Sequence, residues 1–464
     1  MSEIRFEERM SDADALMWTI EQDPLLRSTI TSIAVLESPP DRERLRWKID
    51  RATRVIPRLR QRVVSNPLSV APPRWEVDPN FDLDFHLRWV RAAGDGSMAN
   101  LFSLAEPLAM QGFDRSRPLW EFAVVEGLED DGAALVMKIH HAITDGIGGV
   151  KLMLETFDAE PDPGDVGPMP DAPEIHVMHQ GERFVDAWQH TQRRALGLAK
   201  RSVGVAAGTA VTTLADPVGS GMQVLEAMQS AGRLLKPAPS PMSPLMTGRS
   251  LSQRFHTLSV PLTDTKLAAR AAGGKLNDAF VAAVASGFRR YHERHELPAS
   301  ALRMSMPISV RNEATADDAG NQFSPARFPV PLTVRDPVHR MKVVSDLVGR
   351  ARAEPALQLT QPLAGALNQL PNELTTALFG SMLKGVDFVT SNVPGAPFPV
   401  YLAGARIQNQ FAFGPMTGAA ANITLLSYVD ELNVGFNVDP AAIPDSDAFM
   451  DDMRAGFEEI LKAG

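Results

Sequence analysis

The stretch His140-His141-Ala142-Ile143-Thr144-Asp145-Gly146 follows directly on the largely apolar run Ala133 to Ile139. A short run of that kind, bounded by turn residues, reads as a buried strand. The two histidines then stand at a strand end, with Asp145 and Gly146 in the turn beyond. Gly146-Ile147-Gly148-Gly149 leads from there into an apolar helix, Val150 to Phe157. Histidine has an ordinary pKa of about 6.5, so it can take up and return a proton near neutral pH. Paired with an Asp and a Gly in so short a span, it makes a compact proton-transfer site. The plainer alternative is a hydrogen-bonded core histidine beside an Asp-Gly turn.

Other chemistries fit the letters less well. There is no Cys and no HExxH spacing to hold zinc. The second close pair, His292 and His295, lies in Tyr291-His292-Glu293-Arg294-His295-Glu296, which reads as a solvated helical face. A Ser-His-Asp hydrolase would need a GxSxG elbow, and none is present. Acyl transfer through a single histidine base is the chemistry that survives.

At this point the chain resembles the bacterial wax ester synthase/diacylglycerol acyltransferases, within the chloramphenicol acetyltransferase-like superfamily. HHxxxDG is that family's signature and is shared with nonribosomal peptide condensation domains. Met10-Ser11-Asp12-Ala13-Asp14-Ala15, followed by Trp18 and Glu21, is similar to the family's opening. Phe81-Asp82-Leu83-Asp84-Phe85-His86 and Arg117-Pro118-Leu119-Trp120-Glu121 are similar to its next landmarks. Leu276-Asn277-Asp278 stands where the family carries an Asn-Asp pair. Pro307 to Arg311, Gly320-Asn321 and Ser391-Asn392-Val393-Pro394-Gly395 complete the series in order. The chain departs from the pattern at Pro24-Leu25-Leu26, where the family usually has Pro-Met-His. Residues 160 to 250 match no landmark, and both departures bear on substrate range.

The resemblance implies a mixed α/β (α+β) fold of two chloramphenicol acetyltransferase-like lobes. Each would be a mixed sheet flanked by helices, with a reaction tunnel between them. It implies an O-acyltransferase that moves a long-chain acyl group from acyl-CoA to the hydroxyl of a diacylglycerol or a long-chain alcohol. Acyl-CoA would be a co-substrate, with no permanently bound cofactor and no metal. His141 takes the general-base position, and no covalent acyl-enzyme is needed. His140 either tunes the ring beside it or is a buried residue bonded to backbone. Asp145 braces the turn, with Arg311 as candidate partner, and Gly146 keeps it tight beside the tunnel. Asn277 either donates to the developing oxyanion or caps a helix. Pro118-Leu119-Trp120 and Asn392-Val393-Pro394-Gly395 are expected in packing and tunnel wall. Two other readings stay open: a carrier-protein phosphopantetheine donor, and a non-catalytic lipid-binding relative.

A chain of 464 residues is longer than one core fills, so two domains are expected. The division is an N-terminal lobe over 1–160, a proline-rich and helical crossover over 161–250, and a C-terminal lobe over 251–464. A net charge of −10 argues against a nucleic-acid partner, which needs a basic face. The absence of cysteine excludes disulfides and agrees with a reducing compartment. The first residues lack a secretory apolar region, and no apolar stretch reaches the ~18 residues of a membrane span. A cytoplasmic location follows, with peripheral contact to the inner membrane or lipid inclusions as the open alternative. That alternative rests on Val203 to Ala215, small and apolar behind Arg193, Arg194, Lys200 and Arg201. It is either an interfacial segment or a linker helix with close packing at Gly204 and Gly208. Strands are expected at Leu119–Val125, Ala133–Ile139, Arg303–Val310, Phe323–Val334, Asp387–Asn392, Asn422–Val429 and Leu432–Val438, and a helix from Ala279 to Phe288.

Overall fold

A computed structural model describes residues 8–65, 71–143, 152–164, 167–193, 237–238, 240–309, 323–354, 364–365, 367–368 and 370–464. The expectations for Asp145, Gly146, Arg311, Gly320-Asn321 and the 194–215 segment lie outside these residues. Among the described residues, no helix is long and apolar enough to cross a membrane.

The first half of the chain supplies β1 (Thr29–Leu36), β2 (Gln61–Val64), β3 (Arg74–Val77), β4 (Leu87–Arg91), β5 (Trp120–Glu126) and β6 (Ala133–His140). Its helices are α1 (Asp12–Ile20), α2 (Arg42–Val55), the single turn α3 (Leu83–His86) and α4 (Met98–Met110). The second half supplies β7 (Arg254–Pro261), β8 (Ala301–Ser309), β9 (Phe323–Pro331), β10 (Phe388–Val393), β11 (Tyr401–Leu402), β12 (Ala405–Phe413), β13 (Ala421–Tyr428) and β14 (Glu431–Val438). Its helices are α5 (Leu262–Ala271), α6 (Leu276–Arg294), α7 (Pro337–Arg352), α8 (Asn372–Leu383) and α9 (Ser446–Leu461).

Two six-stranded sheets result, in the orders β11-β12-β1-β6-β5-β4 and β7-β14-β13-β10-β8-β9. Both are mixed, because β4 runs parallel to β5, and β10 runs parallel to β13 and β8. The fold is therefore mixed α+β with helices flanking each sheet. Sheet membership departs from the expected division at residue 250: β11 and β12, from the C-terminal part, belong to the first sheet. Phe413 of β12 pairs with Thr31 of β1, and the chain returns to the second sheet only at Ala421. The reason is an edge. Without β12, β1 would leave a row of unpaired backbone groups along the first sheet.

Strand β6 is buried at every position, which explains why its letters run rather than alternate. Ala134 and Val136 join a core with α4, while Ala133, Leu135, Met137 and Ile139 join one with α2. The sheets meet closely where a Cβ at Gly435 of β14 would collide with the Ala412 carbonyl of β12. Phe255 of β7 stacks on Phe413 at 4.1 Å, with Phe102 of α4 edge-on to both. In the second half, α6 packs against α9 and is buried along most of its length. A Cβ at Gly456 of α9 would meet the Ala283 carbonyl, so glycine lets these two helices approach.

His292 does not lie on a solvated face. It is fully buried, with Nδ1 donating to the Phe288 carbonyl at 2.7 Å and Nε2 2.8 Å from Ser243 Oγ. The carbonyl fixes the proton on Nδ1, so Nε2 accepts from the hydroxyl. Glu293 and Arg294 misled the reading because they occupy the neighbouring, wetter face of the same helix.

Candidate active site

A recess of about 350 Å³ lies between the two sheets. Ala13, Leu16, Met17 and Ile20 of α1 form part of its wall. Their spacing of i, i+3, i+4 and i+7 places them on one helical stripe. Phe379, Met382 and Leu383 of α8 repeat that geometry opposite. The remaining wall is one face of the second sheet, marked by alternate residues: Ser305 and Pro307, Val389, Ser391 and Val393, Asn422 and Thr424. Successive strand residues point to opposite faces, so Met304, Met306 and Ile308 turn away into the core with α6. The loop between β12 and β13 closes the cavity with Gly414, Pro415 and Thr417. The lining is overwhelmingly apolar, with a few hydroxyls and the Arg327 guanidinium, whose Nη1 donates to the Met382 carbonyl at 2.7 Å.

His141 sits one residue beyond β6 and lines this cavity. Its backbone N–H donates to the Ser28 carbonyl at 2.9 Å. His140 has a different setting. Its ring is almost wholly buried and edge-on to Trp18 and Phe113. The Ala142 N–H donates to Nδ1 at 3.0 Å, and Nε2 lies 2.9 Å from Glu21 Oε1. A nitrogen that accepts from an amide carries no proton, so the proton sits on Nε2 and is donated to Glu21.

Glu21 follows directly on α1, and its Oε1 also accepts the Ser28 N–H at 2.6 Å. Burial alone would raise this carboxyl, but His140, the Ser28 N–H and Arg115 outweigh it and hold it below the usual range. One carboxylate thus ties together the two segments that grip His141: the Ser28 peptide on one side and the His140 ring on the other. Glu21 entered the sequence reading only as a landmark. No periodicity could connect it to residues 119 positions away.

The two aromatic landmarks stand behind the site. Trp120 pairs in register with Ile139, and the Leu119 carbonyl accepts the His140 N–H at 3.0 Å. His86 donates from Nδ1 to the Trp120 carbonyl at 2.6 Å and is stacked between the Trp120 and Phe81 rings. Burial, foremost, holds the His86 imidazole below its ordinary pKa. These residues brace the strand end through packing.

Asn277 is placed away from the cavity. Helix α6 begins at Leu276, so Asn277 lies inside its first turn, and Asp278 reaches back to the Lys275 N–H at 2.8 Å. The Asn277 amide lies 3.7 Å from Met306 Sδ, on the face of β8 opposite Ser305 and Pro307. Neither the cap nor the cavity position falls to Asn277. Ser391 and Val393 do line the cavity. Among the described residues, no cluster of three metal-ligating side chains occurs.

Residues 10–280 match the wax ester synthase/diacylglycerol acyltransferase catalytic domain, and residues 319–461 match the C-terminal domain of the same family. A Mycobacterium tuberculosis protein (strain ATCC 25618 / H37Rv) named as a diacylglycerol O-acyltransferase is 36% identical over 98% of this chain and 92% of its own length. A second from that strain is 29% identical over 90% of this chain and 88% of its own. The solved wax ester synthase/diacylglycerol acyltransferase from Marinobacter aquaeolei VT8 aligns with a TM-score of 0.66 at 21% identity. That alignment covers 98% of this chain and all of that one. The first condensation domain of the calcium-dependent antibiotic synthetase aligns at 0.60 with 15% identity, covering 99% of this chain and 96% of that domain, and shares the fold. The chain belongs to the wax ester synthase/diacylglycerol acyltransferase family. It is an acyltransferase of that family.

Proposed function

We propose that the protein transfers the acyl group of acyl-CoA to the hydroxyl of a diacylglycerol or long-chain alcohol, with His141 as general base. The observation that carries this reading is the position of His141 at the wall of an apolar cavity of about 350 Å³. Such a cavity suits an acyl chain, whose transfer from water into apolar surroundings is favourable by ~0.8 kcal/mol per methylene.

The chemistry follows from the reactants. An alcohol holds its proton tightly at neutral pH. His141 removes that proton as the oxygen attacks the thioester carbonyl. The tetrahedral intermediate then expels the CoA thiolate, the C–S bond breaks, and the imidazolium returns the proton to sulfur. Proton transfer of this kind is worth roughly 10²- to 10⁴-fold. In this reading Glu21 and His140 are positioning residues, and Asp145 and Gly146 shape the turn after His141. Residues 161–250 serve as the connector between the lobes, and lipid acceptors arrive from a membrane or inclusion surface.

The direct test is CoA release by the purified chain with palmitoyl-CoA, supplying dioleoylglycerol and hexadecanol as separate acceptors. Release should depend on the acceptor and vanish in His141→Ala. No release with either acceptor would overturn the reading.

A further inference from the structure

On the His140 side of the strand end lies a second, polar recess of about 230 Å³. Trp18, Glu21, Arg27, Gly112, Phe113 and Arg115 line it, so two cations face it in a chain whose net charge is −10. Glu21 offers them little, being engaged by His140 and the Ser28 N–H. Arg115 lies over the Trp18 ring with Cζ 4.1 Å from its centroid, and its Nη2 is 3.9 Å from Glu21 Oε2. Arg27 gives one N–H to the Met110 carbonyl at 2.7 Å, and among the described residues no carboxylate pairs with it. A guanidinium has five N–H donors, so most of this fork stays available. Lys138 adds charge behind the recess, with Nζ 4.3 Å from the Phe113 ring centroid and 3.3 Å from Glu121.

Arg27 also lines a narrow cleft of about 30 Å³ between the lobes, together with Met110, Gln253, Pro415 and Thr417. Pro415 and Thr417 line the His141 cavity as well. Arg27 therefore lines both the cationic recess and a cleft that shares Pro415 and Thr417 with the His141 cavity.

We infer that Arg27 and Arg115 bind the phosphates of the CoA donor. The inference rests on the acyl-CoA reading above. A CoA thioester is a slender uncharged arm ending in phosphates. Guanidinium forks suit phosphate oxygens. An anionic phospholipid headgroup carries the same chemistry, so the test separates the two sources.

Calorimetric titration of the full chain with CoA, and with pantetheine, which lacks the phosphates, measures the phosphate contribution directly. Wild type should bind CoA at least about tenfold more tightly than pantetheine, a margin that shrinks as salt is added. R27A and R115A should each cut the margin about tenfold, and R27K should restore part of it. His141→Ala should keep the margin while losing turnover, so failure of the base reading and failure of this inference register separately. Equal binding of CoA and pantetheine by wild type, or an unchanged margin in both variants, overturns the inference. So does weakened binding of phosphatidylglycerol vesicles by variants whose CoA margin is intact, which would assign the recess to a lipid headgroup. Should R27A fail to fold for want of its Met110 contact, R115A carries the test alone.

Discussion

His140 and His141 are one peptide apart and live in different chemistries. His140 is committed at both ring nitrogens, to the Ala142 amide and to Glu21, and is sealed between Trp18 and Phe113. His141 faces the apolar cavity between the sheets. The contrast comes from the strand itself, which sends neighbouring side chains to opposite sides. A base needs a ring that can change its protonation where the reactants meet. A brace needs a ring held in place by its neighbours. In the proposed reading adjacent positions supply both, and His86 and His292 are likewise held by backbone carbonyls elsewhere in the molecule.

Removing the working ring is the hardest way to break this contrast. His141→Ala should lower turnover by at least about 10²- to 10⁴-fold with the thermal midpoint little changed; a variant with ordinary CoA release would end the assignment. Cutting the brace comes next. Glu21→Gln removes the charge that holds Ser28 and His140 together, and turnover should fall about ten- to a hundredfold, mainly in kcat, through misplacement of His141. The pH–rate profile should shift as well, whereas a purely structural loss would lower Tm and leave the profile in place.

The committed histidines should act on stability. Burial, foremost, lowers the pKa of His86, His256 and His292 in the fold. The folded state then binds fewer protons than the unfolded one, so stability is full above about 6.5 and declines as pH falls below it. Asp387 and Glu106, raised chiefly by burial, act in the opposite sense at lower pH, their contribution growing as they protonate. Melting curves between pH 7.5 and pH 5.5 should show falling Tm. His292→Gln should be less stable by about 1–3 kcal/mol at the upper end and show a shallower slope; an unchanged slope would remove His292 from the account. The smallest effect belongs to Asn277. Asn277→Ala should keep turnover within about threefold, and a loss of about 10²-fold would instead return the oxyanion role to that amide.

Much of the fold was legible in local pattern. The hairpin of β5 and β6, the strands β8, β9, β10, β13 and β14, and helix α6 lie close to where the letters place them. Apolar runs, apolar periodicity and turn residues are short-range signals. Other features were illegible for a common reason. His292 stands beside Glu293 and Arg294, yet is buried where the 243–246 loop covers its side of the helix. Asn277 reads as an oxyanion donor or a cap, yet the direction of one strand face decides that it meets Met306.

The sequence by itself determined the strand end and its two histidines, the family and the class of reaction, because each rests on short motifs, which for the family recur in order along the chain. Tertiary structure alone decided which carboxylate braces the strand end and which strand completes the first sheet. Those outcomes depend on pairings such as Glu21 with His140 and Thr31 with Phe413, which become neighbours only when burial of the two sheets' apolar faces brings distant segments together.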